Sequence, residues 1–420
     1  MPVTTPEQAR ALPLSGIRVL DMSRVLAGPY CGLLLSQLGA EIVKIEDPEG
    51  DRIRAMPPFL DWLSTYFLSI NHNKKSIVLD LKRAEARELF LALVDASDVV
   101  LENFRPGVMD RLGMGPALLR ERNPRLIVCS ISGFGQTTSW KDESAYDLTI
   151  QAVSGLMSIT GEPGGAPVRC GYPIGDLGGG AFATIAIAAA LHERQRSGLG
   201  QVIDLSLLGV QLSLMTYIAS AYLNTGEEPQ PVGSGHPTVV PYRVFYGSDR
   251  KPFVVAVFNE TFWAHLCTAV ERPELCDDPR FRTNLERIPN RVALEGILEA
   301  AFARRDRAAW LARLTEYDVP HASVNSVGEA TACPPAVERG MIDACLQPGI
   351  GTVKFAGSPF QFSAHAAEPA CPVPALGEHT REILQSLLGL SAETVTGLEE
   401  RGVVRSASKA ADTRRETARV

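Results

Sequence analysis

Short β-branched runs alternate along the first half of the chain with longer segments whose apolar residues recur at helical spacing. Ile17–Asp21, Glu41–Ile45, Ser76–Asp80, Asp98–Leu101, Arg125–Ser130 and Gln201–Ser206 read as strands. Tyr30–Leu38, Arg83–Val94, Val108–Arg122, Leu177–Arg194 and a stretch running to about Leu223 read as helices. Strands returning about every 25 to 35 residues, with helices between them, are βαβ units and predict a parallel sheet in a Rossmann-like α/β domain. From Asn224 to Pro241 the composition turns to Gly, Pro and polar residues, as in a linker or a site loop. Beyond it, Arg243–Tyr246 and Pro252–Val257 predict a hairpin opening a smaller α+β unit, with helices over Phe262–Val270, Val292–Ala303 and Arg307–Glu316. The chain thus divides into a large domain over 1–224, a small domain over 225–335, a return segment 336–404 completing the large domain, and a tail 405–420. That tail lacks apolar periodicity and reads as disordered.

Composition narrows the partners. A 45% hydrophobic and 21% charged chain of 420 residues can bury ordinary soluble cores. With Lys+Arg 41 against Asp+Glu 48 the net charge is -7, so nucleic acid is excluded as the main partner and any anion must be held by a local cluster. Eight cysteines scattered from Cys31 to Cys371, without C-x-x-C, fit buried thiols in a reducing compartment, not a disulfide framework or a zinc site. No charged n-region precedes an apolar stretch, and the longest apolar run, Ala181–Leu191, is shorter than the roughly 20 residues that span a bilayer. The expectation is a cytoplasmic protein or a mature organellar matrix one, with no membrane partner.

Three places could carry chemistry. The first βα loop, Asp21 to Tyr30, is followed by Glu46 and Asp47 after the second strand, as in nicotinamide-binding folds. It lacks G-x-G-x-x-G, so a Rossmann-like fold with another ligand at its strand ends is the better reading. Lys74, Lys75, Lys82, Arg105 and Arg111 lie on expected loops around successive strands, where they would suit a phosphorylated, adenine-containing ligand. In Gly171-Tyr-Pro-Ile-Gly-Asp176-Leu-Gly-Gly-Gly180 a carboxylate stands at a helix entrance with glycines that leave space around it. Asp176 reads either as an N-cap or as a carboxylate nucleophile, and one residue can hold both roles. His236, in a polar loop, reads as a hydrogen-bonding surface residue.

Gly16-Ile-Arg-Val-Leu-Asp21, Arg24-Val-Leu-Ala-Gly-Pro29, Leu38 to Glu46, Asn71 to Ser76, Glu102-Asn-Phe-Arg-Pro-Gly107, Ser132-Gly-Phe-Gly135, Tyr146-Asp147, Gly175-Asp176, His236-Pro237 and Leu376 to Thr380 resemble the motifs of family III CoA-transferases, in order, over nearly the whole chain. The resemblance implies a Rossmann-like large domain plus a small domain in two subunits threaded as interlocked rings. It implies CoA transfer between carboxylic acids through an aspartyl anhydride and an aspartyl-CoA thioester, with Asp176 as the aspartate. No metal and no cofactor beyond the substrate CoA thioester is expected. The implied CoA contacts are Leu26, Ala27, Lys82, Asn103, Phe104, Arg105, Arg111 and Tyr146.

Related α-methylacyl-CoA racemases use a histidine where this chain has Tyr146, and tyrosine, with an ordinary pKa near 10, is a poor partner for α-proton exchange. Leu26 in place of glutamine and the missing tetraglycine loop weigh against formate and oxalate. Ser154–Gly161 and Pro167–Arg169 are similar to members that use succinyl-CoA and a second dicarboxylic acid. Arg24, Arg52, Arg169 and His236 are the candidates for a distal substrate carboxylate, Arg169 first. Racemisation or another acyl-CoA isomerisation, non-enzymatic CoA binding and a nicotinamide oxidoreductase stay open beside the transferase reading.

Overall fold

The computed structural model describes residues 11–365 and 369–407. They form two compact units, one comprising 11–154, 170–221 and the described residues from 335 onward, the other 155–169 and 222–334.

In the first unit the strands are β1 (Arg18–Asp21), β2 (Glu41–Glu46), the two-residue pair β3 (Phe59–Leu60) and β4 (Leu63–Ser64), then β5 (Lys74–Leu79), β6 (Val99–Glu102), β7 (Ile127–Ser132) and β8 (Val202–Ser206). The helices up to Leu214 are α1 (Ala27–Gln37), α2 (Thr65–Asn71), α3 (Ala84–Asp95), α4 (Val108–Arg111), α5 (Pro116–Arg122), α6 (Asp147–Val153), α7 (Ile174–Ser197) and α8 (Leu207–Leu214), and the return segment adds helices over Thr380–Leu388 and Ala392–Glu400. Among the described residues the main sheet runs β5-β2-β1-β6-β7-β8, all parallel, with Val404–Arg405 added antiparallel beside β5. Strand order reverses between β1 and β6, which are paired through Leu20 and Val100. Alternate residues serve opposite faces: Leu20 packs with Phe90, Leu93 and Ile383 on one, and Val19 with Leu35, Ala183 and Ile187 on the other. Burial on both faces explains the nearly continuous Val/Ile/Leu runs.

The expected helix over Val108–Arg122 is two helices, because Gly113 takes a φ of 71° and Pro116 restarts the chain. The expected helix to Leu223 breaks at Thr216, whose φ is 41°, before α9 (Thr216–Thr225). Helix α7 is long and apolar enough to cross a membrane by length and composition. Its Ala183, Ile187 and Ala190 instead belong to the core beneath the sheet. The return segment begins with a hairpin that the Gly/Pro punctuation hid, Ile342–Gln347 paired to Gly351–Ala356. Its Val353 and Phe355 pack with Leu26, Ile53 and Phe67. Arg405 is not in a disordered tail: it is paired with Val78 in the sheet, while 408–420 lie outside the described residues.

The second unit holds β9 (Tyr242–Tyr246), β10 (Pro252–Ala256) and β11 (His321–Ser323), antiparallel in the order β11-β10-β9. Its core gathers Phe245, Phe253, Trp263, Phe302 and Trp310. The stretch 155–169 clusters with this unit, whereas the sequence pattern predicts a large domain unbroken to 224. Nothing in that polar, Gly-rich stretch marks the chain's departure from one core and its return at Cys170.

Candidate active site

Helix α7 leads into the amino end of β8, so it runs against the strands and begins at their carboxyl edge. The loops after β1, β5 and β6 emerge at that same edge. Asp176 lies in the first turn of α7, but the N-cap position is Pro173. The cap comes from another helix: Asp147 Oδ1 accepts from the Gly175 N–H at 2.8 Å and the Asp176 N–H at 3.4 Å. Asp147 is steadied in turn by the Gln151 Nε2, which donates to its Oδ2 at 2.6 Å. Asp176 is therefore relieved of capping, and among the described residues its carboxyl makes no hydrogen bond or ion pair. Burial, and secondarily the Asp147 charge, push its pKa up to about 7.

The glycines around Asp176 were expected to leave room for a reacting group; several serve close packing instead. A Cβ on Gly175 would lie 2.9 Å from Asp147 Oδ1, and one on Gly180 would lie 2.6 Å from the Ala27 carbonyl oxygen of α1. The second contact sets Ala27 against α7 one turn after Asp176. Leu26, also buried, packs in the cluster that takes in Tyr66 and Leu177. Tyr66, which the sequence does not single out, stands near Asp176. Burial first, then Asp176, Asp51 and Asp147, push its phenol to about 12, so it remains a hydroxyl donor across the physiological range.

The basic residues divide. Arg111 is exposed and, among the described residues, its guanidinium has no hydrogen bond or ion pair. It lines a cleft of about 510 Å³ with Gly107, Ser130, Gln136, Lys141 and Asp204, between the segments that follow β6 and β7 and the strand β8. Arg105, exposed after β6, donates to Ser144 Oγ at 2.6 Å. Lys82 is exposed after β5. Tyr146, 67% exposed, precedes α6. Lys74 and Lys75 begin β5 and are consumed elsewhere. Lys74 is buried against Asp21 at 3.0 Å, the Pro29 carbonyl and Asn71; Lys75 pairs with Glu41 and Glu382. A buried, fully bonded ammonium cannot reach a phosphate, and Lys75, half-exposed but paired twice, stands at the start of β5, away from the carboxyl edge, so the expected cluster loses both.

Asn103 and Phe104 follow β6. The Asn103 side chain bonds the backbone of Arg24, and Phe104 lies under the Arg24 guanidinium at 5.4 Å. Arg24 also pairs with Asp47 at 2.8 Å. Arg52 is exposed on a 3-10 turn over Arg52–Ala55. Arg169 and His236 belong to the second unit, Arg169 exposed and His236 set edge-on to Tyr242 and Phe258. The first unit thus gathers Asp176, Asp147, Tyr66, Leu26 and Ala27. The sequence does not single out Asp147 or Tyr66 beside Asp176, because their proximity to it depends on contacts far away in sequence.

This chain matches the model of CoA-transferase family III over residues 14–380. It belongs to that family. A family III CoA-transferase is an enzyme, and the relatives carry transferase names. The chain is 38% identical to a mouse succinyl-CoA:glutarate CoA-transferase, covering 93% of this chain and 90% of that one. It is 38% identical to a succinyl-CoA:mesaconate CoA-transferase of Haloarcula hispanica, covering 88% and 95%. An acetyl-CoA:oxalate CoA-transferase of Acetobacter aceti is 40% identical, covering 87% and 92%. Among solved structures, a CAIB/BAIF family protein from Brucella suis superposes with a TM-score of 0.80 at 36% identity, covering 90% of this chain and 100% of that one.

Proposed function

We propose that this family III CoA-transferase moves CoA from succinyl-CoA to a second small dicarboxylic acid with Asp176 as the nucleophile. The observation that carries the assignment is the capping of α7 by Asp147, which leaves the Asp176 carboxyl at a helix entrance without a partner of its own. A carboxylate oxygen of Asp176 attacks the thioester carbonyl; the C–S bond breaks, giving a mixed anhydride and CoA thiolate. The thiolate then attacks the aspartyl carbonyl, forming the aspartyl-CoA thioester and releasing succinate. The acceptor carboxylate attacks that thioester, and the freed thiolate takes the acceptor's acyl group, which returns Asp176 as a carboxylate. Each step exchanges one acyl bond for another, so the cycle calls for no net proton or electron.

The choice of dicarboxylic acids is supported by the names of the glutarate and mesaconate transferases to which this chain is similar. The oxalate transferase of comparable identity makes oxalate a necessary member of any acceptor panel. Incubation with succinyl-CoA and a panel of mono- and dicarboxylic acids should yield new thioesters by mass, dicarboxylates fastest. Hydroxylamine should trap the peptide containing Asp176, and Asp176→Ala should lose about four orders of magnitude in turnover. A fully active Asp176→Ala would end the assignment. We further propose that the active form is an interlocked homodimer, to be tested by light scattering.

A further inference from the structure

The loop that crosses from β1 to α1 is held by side chains at successive backbone groups. The Ser23 N–H donates to Asp21 Oδ1 at 3.0 Å, and the Ser23 carbonyl accepts from Lys44 Nζ at 2.9 Å. At Arg24 one side chain does both jobs: Asn103 Oδ1 accepts from the N–H and Asn103 Nδ2 donates to the carbonyl, each at 2.8 Å. The Val25 N–H points to Asp51 Oδ2 at 3.3 Å, and Asp51 is buried against Lys44 at 3.0 Å. Val25 has a φ of 67°, the left-handed region that a β-branched residue rarely adopts, so the surroundings must impose this turn.

Position gives the restraint a purpose. Asn103 follows β6 and Arg24 follows β1, the two strands between which the sheet order reverses, so the clamp ties together the two lips of the switch-point crevice. The residues next in line are Leu26, in the cluster with Tyr66 and Leu177, and Ala27, whose carbonyl lies against Gly180 one turn after Asp176. An error in the Ser23–Val25 turn is passed directly to the start of α1 and the wall beside Asp176. Both functional ends of the Asn103 amide are already engaged inside the protein.

We propose that Asn103 is a positioning residue, acting through the backbone of Arg24 to aim the β1–α1 loop at Asp176, with the buried Lys44–Asp51 pair holding the same turn from the other side. The proposal rests on the transferase reading for its kinetic effect but not for its structural one. In Asn103→Ala, turnover should fall about 10- to 100-fold, the scale of a misplaced reacting group, while the Kd for CoA alone stays within about threefold. Hydrogen exchange of the peptide covering residues 22–27 should quicken, because the Arg24 N–H loses its acceptor. Asn103→Asp, which keeps an acceptor and loses the donor, should exchange at an intermediate rate. Arg24→Ala, which preserves the clamped backbone groups, should exchange as the unmodified protein does.

A tenfold or greater rise in the Kd for CoA with unchanged exchange and unchanged turnover would make Asn103 a direct ligand and overturn the proposal. Unchanged exchange in both Asn103 variants would overturn it as well, whatever the kinetics. If the unmodified protein transfers CoA to no acid, the transferase reading fails, and the exchange and CoA-binding measurements still decide the clamp.

Discussion

Glu46 and Asp176 are carboxylates of the same unit, the first buried and the second partly so, and they ionise at opposite ends of the acid range. Glu46 ends β2 with a side chain that is 1% exposed. Burial alone would raise its pKa, but Arg54 grips both its oxygens at 2.8 and 2.6 Å, Lys44 stands nearby, and the Asp51 N–H adds a bond, so it settles at about 2. Asp176 has burial without a cation and a second carboxylate close by, and it rises to about 7. Glu102 is the informative third case. It accepts from the Phe104 N–H at 2.7 Å and from Ser130, has no cation, and also sits at about 7. Two hydrogen bonds do not offset burial here; a guanidinium does. The network Asp21–Lys74, Lys44–Asp51 and Glu46–Arg54 is charge-balanced and closed, whereas the Asp176 carboxyl has no partner among the described residues.

The sharpest way to break this contrast is to neutralise each carboxylate and compare stabilities. Glu46→Gln should cost about 3 kcal/mol at pH 7, because Arg54 loses its charged partner. The sign follows from the depressed pKa: the stabilisation is present above the unfolded value near 4.3 and is lost as pH falls through about 2. Asp176→Asn should act in the opposite direction. Its folded pKa lies above the unfolded one, so the unmodified protein loses stability as pH rises from about 4 to about 7. The asparagine variant should gain about 1–2 kcal/mol above pH 7, less than a full conversion of the shift because the group is only partly buried, and nothing near pH 3. Denaturant melts at pH 3.5, 5.5 and 8 read both effects. A destabilised Asp176→Asn at pH 8 would show that the carboxylate is held by a partner after all.

How far these two residues were legible in sequence differs for a physical reason. Asp176 stood out because a carboxylate at the entrance of an apolar, Gly-flanked helix is a local pattern. The strands of the sheet were legible for the same reason, each being a short run with its own periodicity. The partners were not. Asp147 caps α7 from 28 residues away, and Lys74 meets Asp21 across 53, distances at which no spacing rule operates. Lys74 looked like a loop cation because its strand begins two residues earlier than the apolar run Ser76–Asp80 suggests. The hairpin at Ile342–Ala356 did carry a signal, with Val353 and Phe355 alternating inward, obscured by glycines and prolines around it.

Arg111 is the mirror of Asp176, a cation left without a carboxylate. If it is kept open for the phosphates of CoA, Arg111→Ala should raise the KM for the CoA donor about tenfold and lower kcat less than threefold, the loss of one charge-assisted contact at an exposed site. The KM effect should shrink as salt rises, since exposed charges are screened. A KM that is unchanged, with or without salt, would place the phosphates elsewhere than the cleft beside Gly107 and Lys141.

The smallest effect separates the two causes that raise Asp176. Burial is the larger and the Asp147 charge the smaller, so Asp147→Asn should move the acid limb of kcat/KM to lower pH without returning it to the ordinary carboxylate range. The direction is fixed by charge: with the neighbouring anion gone, the Asp176 carboxylate forms more easily, and the proposed nucleophile, which must be ionised, becomes available at lower pH. Asparagine keeps an oxygen for the Gly175 N–H and gives up only the acceptor of Gln151 Nε2, so the cap on α7 is retained and the shift of the limb reads the charge. Asp147→Ala removes charge and cap together. It should produce the same shift in the limb plus a fall in kcat across all pH values, since the first turn carrying Asp176 then loses its acceptor. An acid limb that stays in place in Asp147→Asn would mean that burial alone sets the ionisation of Asp176, and Asp147 would keep only its role in building the helix entrance.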